Sequence, residues 1–310
     1  MSSQITTAFV QQYSSNIYYL VQQKGSRMRN AVRTESQVGK TAFYDQVGAA
    51  TAQLKTSRHS DTPQLDSLHS RRMVALSDYE WADLIDNQDK IRTLIQPESA
   101  YAQSAAWALG RSIDDVIIAA GLGTAYSGET GTTSVVLPST QKIASVASSA
   151  GANLNVQALR RAKKIFDAND VDESIPRYIC LSSSQLEALL NETQVTSSDF
   201  NTVKALVQGE IDTFLGFKFI RSERLPTRSG ALSFNTTTGA VGSGSGDADG
   251  YRRVMTWAQD GMLLSMGKDI MGRISERSDK SYAMQVYACM SVGAARMEEK
   301  KVVEILCTEA

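Results

Sequence analysis

Apolar residues recur at three- and four-residue steps through Tyr101, Ala105, Ala108, Leu109, Ile113, Val116, Ile117 and Ala120, which predicts one amphipathic helix over 97–121. At 1.5 Å per residue such a helix of about 24 residues is about 36 Å long, well above the usual three turns. Pro97 suits the first helical position because its missing N–H is an orphan there, and Glu98 favours the positive helix end. Gly121 and Gly123 supply the stop. A stripe of this length requires a covering surface, and the terminal strands, especially 282–292, are the expected ones.

Around this spine the pattern is dominated by strands. Residues 3–24 form a second amphipathic pattern with Phe9, Tyr13, Ile17 and Leu20 on one face and Gly25 at its end. From Lys40 to Leu54 the spacing turns strand-like, and Met73 to Trp81 forms another apolar run. They flank a polar stretch, so the two read as a long hairpin around a connection of roughly 15 residues, a length that is usually functional or disordered. Such an arm has too little apolar area to fold alone and needs another surface. Residues 83–95 read as a short helix, and 121–151 as a Gly, Ser and Thr rich loop containing Val135-Val136-Leu137.

An α/β pattern follows: helix 154–168, strand 177–181, helices 183–191 and 200–208, and strand 217–220. Residues 227–250 include Gly242-Ser243-Gly244-Ser245-Gly246 and read as a surface loop. Four strands are predicted after it, at 251–257, 262–266, 282–292 and 301–306. The third is apolar on both faces, which predicts cover on both.

Composition narrows the picture. A chain of 310 residues exceeds what one core usually fills, so two substructures are expected. Lys plus Arg total 32 and Asp plus Glu 33, a formal charge of -1 that gives no bulk attraction to nucleic acid or anionic membrane. Cys180, Cys289 and Cys307 sit in apolar runs without C-x-x-C spacing and read as free thiols. There is no apolar window long enough for a membrane helix, and Gln4, Gln11 and Gln12 interrupt any secretory signal, so a soluble cytoplasmic product is expected.

Candidate chemistry falls away residue by residue. Gly39-Lys40-Thr41 has Thr34 where a phosphate loop needs its first glycine. Gly121-Leu122-Gly123 follows a helix, not a strand, and the Gly-Ser run has Gly244 where a nucleophile elbow needs serine. His59 and His69 share a polar loop with Asp61 and Asp66 but lack ligand spacing. Asp114 and Asp115 are adjacent on a helix and point in different directions. Asp247 and Asp249 form a lone calcium-loop fragment. No catalytic, cofactor or metal set is expected.

The order of these elements resembles the major capsid proteins of tailed bacteriophages, with the Hong Kong 97 fold. Residues 209–217, continuing through Ser222 to Leu225-Pro226, are similar to that family's Gly-hydrophobe strand and Ser-x-x-Leu-Pro. Residues 283–292, Gly293-Ala294-Ala295-Arg296 and 302–305 are similar to its last two strands. The resemblance implies an α+β fold with an N-terminal arm (1–30), an extended hairpin called the E-loop (31–75), a peripheral domain (76–124 and 251–292) containing the spine, and an axial domain (125–250 and 293–310).

It further implies a structural subunit, not an enzyme, that self-assembles into hexamers and pentamers of an icosahedral head enclosing DNA. The arm and hairpin would meet neighbouring subunits through Phe9, Tyr13, Ile17, Phe43, Tyr44, Leu54, Arg58, Arg71 and Arg72. The implied partners are a portal, a separate scaffold or none because the chain starts almost at the arm, and a decoration protein, with nonspecific contact to packaged DNA and none to membrane. Assembly would occur in the host bacterial cytoplasm and the product would reside in the virion. Two alternatives stand beside this one: an encapsulin-like compartment shell, and a soluble hydrolase built on His59, His69 and Asp61.

Overall fold

The computed structural model describes residues 22–58, 64–85, 98–147, 150–192, 213–228 and 251–308. Most of the expected N-terminal helix, with Phe9, Tyr13 and Ile17, lies outside these residues. So do His59, Asp61, the helix at 200–208 and most of the Gly-Ser loop.

The spine is helix α1, Glu98–Leu122. It passes through Gly121 instead of stopping there, and its last turn closes with Gly123 N–H donating to the Ala119 carbonyl (2.8 Å). Gly121 is where the helix meets Met255 and Met262, whose side chains would collide with or crowd any side chain at that position. The covering contact at this end is therefore with two of the terminal strands, those that begin at Tyr251 and Met262.

The chain divides into two compact units, and α1 contributes to both. In the first unit, residues 22–26 lie along the helix at Gly110, where an added Cβ would come within 2.6 Å of Gly25 Cα. Arg111 Nη1 donates to Gln22 Oε1 (2.9 Å) and to the Gln23 carbonyl (3.0 Å). Lys24 stands 5.5 Å over the Trp107 ring. The end of the arm thus docks on its own spine.

Strands β1 (Arg33–Ser36), β4 (Ser77–Ile85), β15 (Met262–Arg277) and β16 (Ala283–Arg296) form one sheet in the order β1-β15-β16-β4. The run from Met73 to Trp81 is two strands, not one. It divides at Leu76, after β3 (His69–Ala75), and the halves enter different sheets. Residues 83–85 complete β4 and do not begin a helix. On β16, Val286, Ala288, Met290 and Val292 are buried, whereas Tyr287 and Cys289 are half-buried, so only one face is fully covered. β15 runs eleven residues beyond the expected Met266 end and is mostly exposed there.

The second unit holds the α/β sheet, in the order β11 (Thr213–Phe214), β12 (Phe217–Arg221), β10 (Arg177–Leu181), β14 (Tyr251–Ala258), β17 (Val302–Thr308) and β7 (Lys142–Ala144), with β13 (Thr227–Arg228) beside β14. β14 is central here, although its sequence position groups it with the peripheral strands. Leu215 and Gly216 take φ of 51° and 86°, the two positive values that a tight hairpin between β11 and β12 needs.

Helix α2 (Val156–Ala168) buries Val156, Ala158, Leu159, Ala162 and Phe166 on one face. Its first turn is capped by Asn155 Oδ1, which accepts from Ala158 N–H at 2.8 Å. In α3 (Ser183–Leu190), Gln185 reaches back to accept the Ser182 N–H at 2.8 Å. Trp257 is wholly buried, stacks on Tyr178 at 5.9 Å and donates its indole N–H to the Ala31 carbonyl at 2.8 Å. The segment 121–151 is not a plain loop: β5 (Ala125–Ser127) and β6 (Thr133–Val135) join β2 (Thr41–Val47) and β3 in a sheet ordered β2-β3-β5-β6, and β8 (Val146–Ala147) pairs β9 (Ala150–Gly151).

Candidate assembly site

β2 and β3 pair antiparallel from Thr41 opposite Ala75 to Val47 opposite His69. The strand pattern on the first arm thus ends at Val47, and the described residues between β2 and β3 hold no regular strand or helix. This connection is exposed almost throughout. Leu54 is 89% exposed, Leu68 76% and Val47 66%, and Arg58 is exposed too. Apolar side chains are thus left exposed at several positions along one arm, where a single exposed one would need no explanation.

Along the hairpin the sequence-predicted contact residues separate by burial. Phe43 is 39% exposed, with the Arg71 guanidinium 5.6 Å from its ring. Arg71 also pairs with Asp45 at 2.6 Å, and that hydrogen bond holds the Asp45 carboxyl below its usual range. Tyr44 faces inward instead, packing on Val74, Leu263 and Ala295 and sharing a 3.3 Å hydrogen bond with Ser265 Oγ. Arg72 is buried and is used within the chain.

Arg72 leads into an ionic network that the sequence did not suggest. Its Nη2 donates to both Glu299 oxygens (2.6 and 2.7 Å) and its Nε to the Met297 carbonyl (3.0 Å). Arg296, with no exposed surface, lies 3.5 Å from Glu299 and donates to three carbonyls: Gly121 (2.8 Å), Gly123 (2.9 Å) and Val135 (3.0 Å). Burial pushes the Arg296 pKa down while Glu299 opposes that shift. Arg253 bridges the Leu122 carbonyl (3.0 Å) and the fully buried Glu304 (2.5 Å).

Two guanidinium groups therefore cap the C-terminal carbonyls of α1, where the helix dipole is negative and backbone acceptors lack partners. Glu299 and Glu304 balance their charge, and Arg72 ties the hairpin root to the same group. The sequence signal is slight: Arg296 ends the apolar run of β16, while Arg72, Arg253 and Glu304 are charges set inside β3, β14 and β17.

Asp114 and Asp115 diverge on α1. Asp114 is buried and accepts from the Arg27 and Met28 N–H groups at 3.1–3.2 Å, while Asp115 pairs with Arg224. The segment from Arg27 to Met28 is thus clamped to the spine, with Met28 at 0% exposure. His69 stands beside Asp45 and Arg71 at the outer end of β3, with no metal-binding group of His, Cys, Asp or Glu among the described residues.

The hairpin thus carries exposed apolar residues on a connection whose root is tied into the charged group at the end of a long helix. Solved structures agree on the fold. The capsid of the cyanophage P-SCSP1u superimposes with a TM-score of 0.71 at 15% identity, covering 100% of this chain and 96% of that one. The capsid of Ralstonia phage GP4 gives 0.73 at 10% identity over 98% and 96%, and that of cyanophage Pam1 gives 0.72 at 15% identity over 98% of both. The family model of the phage capsid proteins matches residues 5–309. The chain therefore belongs to the phage capsid protein family, as a structural major capsid protein with the Hong Kong 97 fold. No curated protein sequence matches it.

Proposed function

We propose that the chain assembles with copies of itself into hexamers and pentamers of an icosahedral head enclosing DNA, forming in the host cytoplasm without catalysing a reaction. In this reading the arm and the hairpin are the elements that reach other subunits, and a portal, a separate scaffold and a decoration protein complete the particle. The arm, hairpin, peripheral and axial divisions are assigned on the same basis.

The observation that carries the proposal is the hairpin connection, which exposes Leu54 and Leu68 while its root is fixed in the buried arginine network. Interfaces must outweigh the lost freedom of each free subunit, so surface of this kind is what a shell subunit has to supply. Purified protein should form rings or shells visible by electron microscopy and heavy in sedimentation. Leu54→Asp should leave the monomer folded by circular dichroism and reduce the assembled fraction at least tenfold. A monodisperse 33.7 kDa monomer that never assembles, with or without its scaffold, would overturn the proposal.

A further inference from the structure

Among the described residues the sheet β1-β15-β16-β4 ends in two open edges. β1 pairs with β15 only from Leu263 to Met266, with Gln37 N–H adding a bond to the Met266 carbonyl. Beyond that point β15 continues to Arg277 with no further strand on that side among the described residues. β4 is the last strand at the opposite edge. Neither segment contains proline, and β15 exposes Met271 at 55% and Ile274 at 43%. Long unprotected edges present rows of backbone donors and acceptors that invite another strand, and natural proteins usually block them.

The charges on the two edges differ in sign. β4 carries Asp78, Glu80 and Asp83 and no basic residue. The outer part of β15 carries Lys268, Arg273 and Arg277 against Asp269 and Glu276, and Lys280 lies at its tip. Some of these groups are already engaged within the sheet: Asp78 with Ser291, Lys268 with Cys289 at 3.4 Å, and Arg277 with Asp279 at 2.7 Å. Arg273 is exposed. Two β4 edges brought together would oppose three carboxylates to three, whereas β4 against β15 sets acidic beside basic, and opposite charges across a strand pair are the stabilising arrangement.

We propose that the β4 edge of one copy pairs with the outer β15 edge of the next, adding strand to strand between subunits. Because the two edges are different surfaces, the contact is head-to-tail, the type that closes into rings or extends but cannot stop at a dimer. The inference rests on the self-assembly proposed above and specifies one of its contacts.

The test places Ala82→Cys on exposed β4 together with Met271→Cys, Gly272→Cys or Arg273→Cys on β15, all in a Cys289→Ser background. Assembled particles are treated with a short flexible bismaleimide, whose reach covers neighbouring registers. The expected result is a ladder of covalent multimers on a denaturing gel for the paired variants, with neither single-site variant cross-linking. Particles without a ladder, or dimers from one site alone, would overturn this pairing while leaving self-assembly intact. Variants and parent that form no particles at all would overturn self-assembly and this contact with it.

Discussion

At the scale of single residues, the most consequential side chain is Arg296. It is fully buried yet makes three backbone hydrogen bonds and neighbours Glu299, so its charge is distributed over acceptors that would otherwise lack partners. Breaking a buried ion pair by removing one partner costs about 3–5 kcal/mol, mostly from the group left behind. Lysine does not substitute here, because an ammonium is a point charge and cannot span the carbonyls of Gly121, Gly123 and Val135 as a planar fork does. Arg296→Lys is therefore expected to destabilise the monomer by about 3 kcal/mol, read as a fall in the urea midpoint. Arg71→Lys, at an exposed pair with Asp45, should move the midpoint little, since exposed pairs contribute about 0–1 kcal/mol.

At the scale of elements, α1 carries two glycines with opposite tolerances. An added Cβ at Gly110 would meet backbone: Gly25 Cα at 2.6 Å, with Gly25 C and Ser26 N at 2.8 Å. At Gly121 the nearest atoms it would meet belong to the side chains of Met255 and Met262, flexible thioethers that can shift where backbone cannot. Alanine gains about 1 kcal/mol over glycine inside a helix, whereas overpacking against fixed atoms costs about 1–3 kcal/mol. Gly110→Ala should thus lower the melting temperature and expose the chain near residue 25 to protease, while Gly121→Ala should be close to neutral. Equal behaviour of the two variants in thermal melts and limited proteolysis would refute this account of how the arm is held.

Most of the elements were legible where burial imposes a period. α1, α2 and β10 follow the apolar spacing almost to the residue, because each buries one face or both. The outer half of β15 was not legible, since Gly267 to Arg277 is exposed and leaves no apolar alternation to read. The division at Leu76 was missed for another reason: β3 and β4 are apolar enough to look continuous, and only long-range pairing sends them to different sheets. The network around Arg296 was hidden because a lone charge in an apolar run gives no hint of its partners, which lie over 150 residues away at Gly121, Gly123 and Val135.

At the scale of the whole molecule, the second unit joins its sheets through one polar group. Arg72 is in β3, Arg296 ends β16, Glu304 and Arg253 lie across the α/β sheet, and all converge on the end of α1. The hairpin's direction is thereby set by a root that is largely buried, with the Arg72 side chain 9% and Glu299 18% exposed, while its outer part is exposed. Removing Arg72 severs that root but leaves Glu299 beside Arg296, so the remaining charges stay compensated. Arg72→Ala is therefore expected to keep the α/β sheet folded, with near-native far-ultraviolet circular dichroism, and to make the hairpin the first site cut by protease. Assembly yield should fall more than the loss of monomer stability would explain, because a hairpin without a fixed root presents Leu54 and Leu68 in many directions and each contact must then also order the arm. Raising the salt should not reproduce this effect, since ions screen exposed pairs such as Arg71 with Asp45 far more than a buried one. If Arg72→Ala assembled like the parent while its hairpin was cut faster, the root would be a stability element alone and the hairpin's orientation would be set entirely by its neighbours.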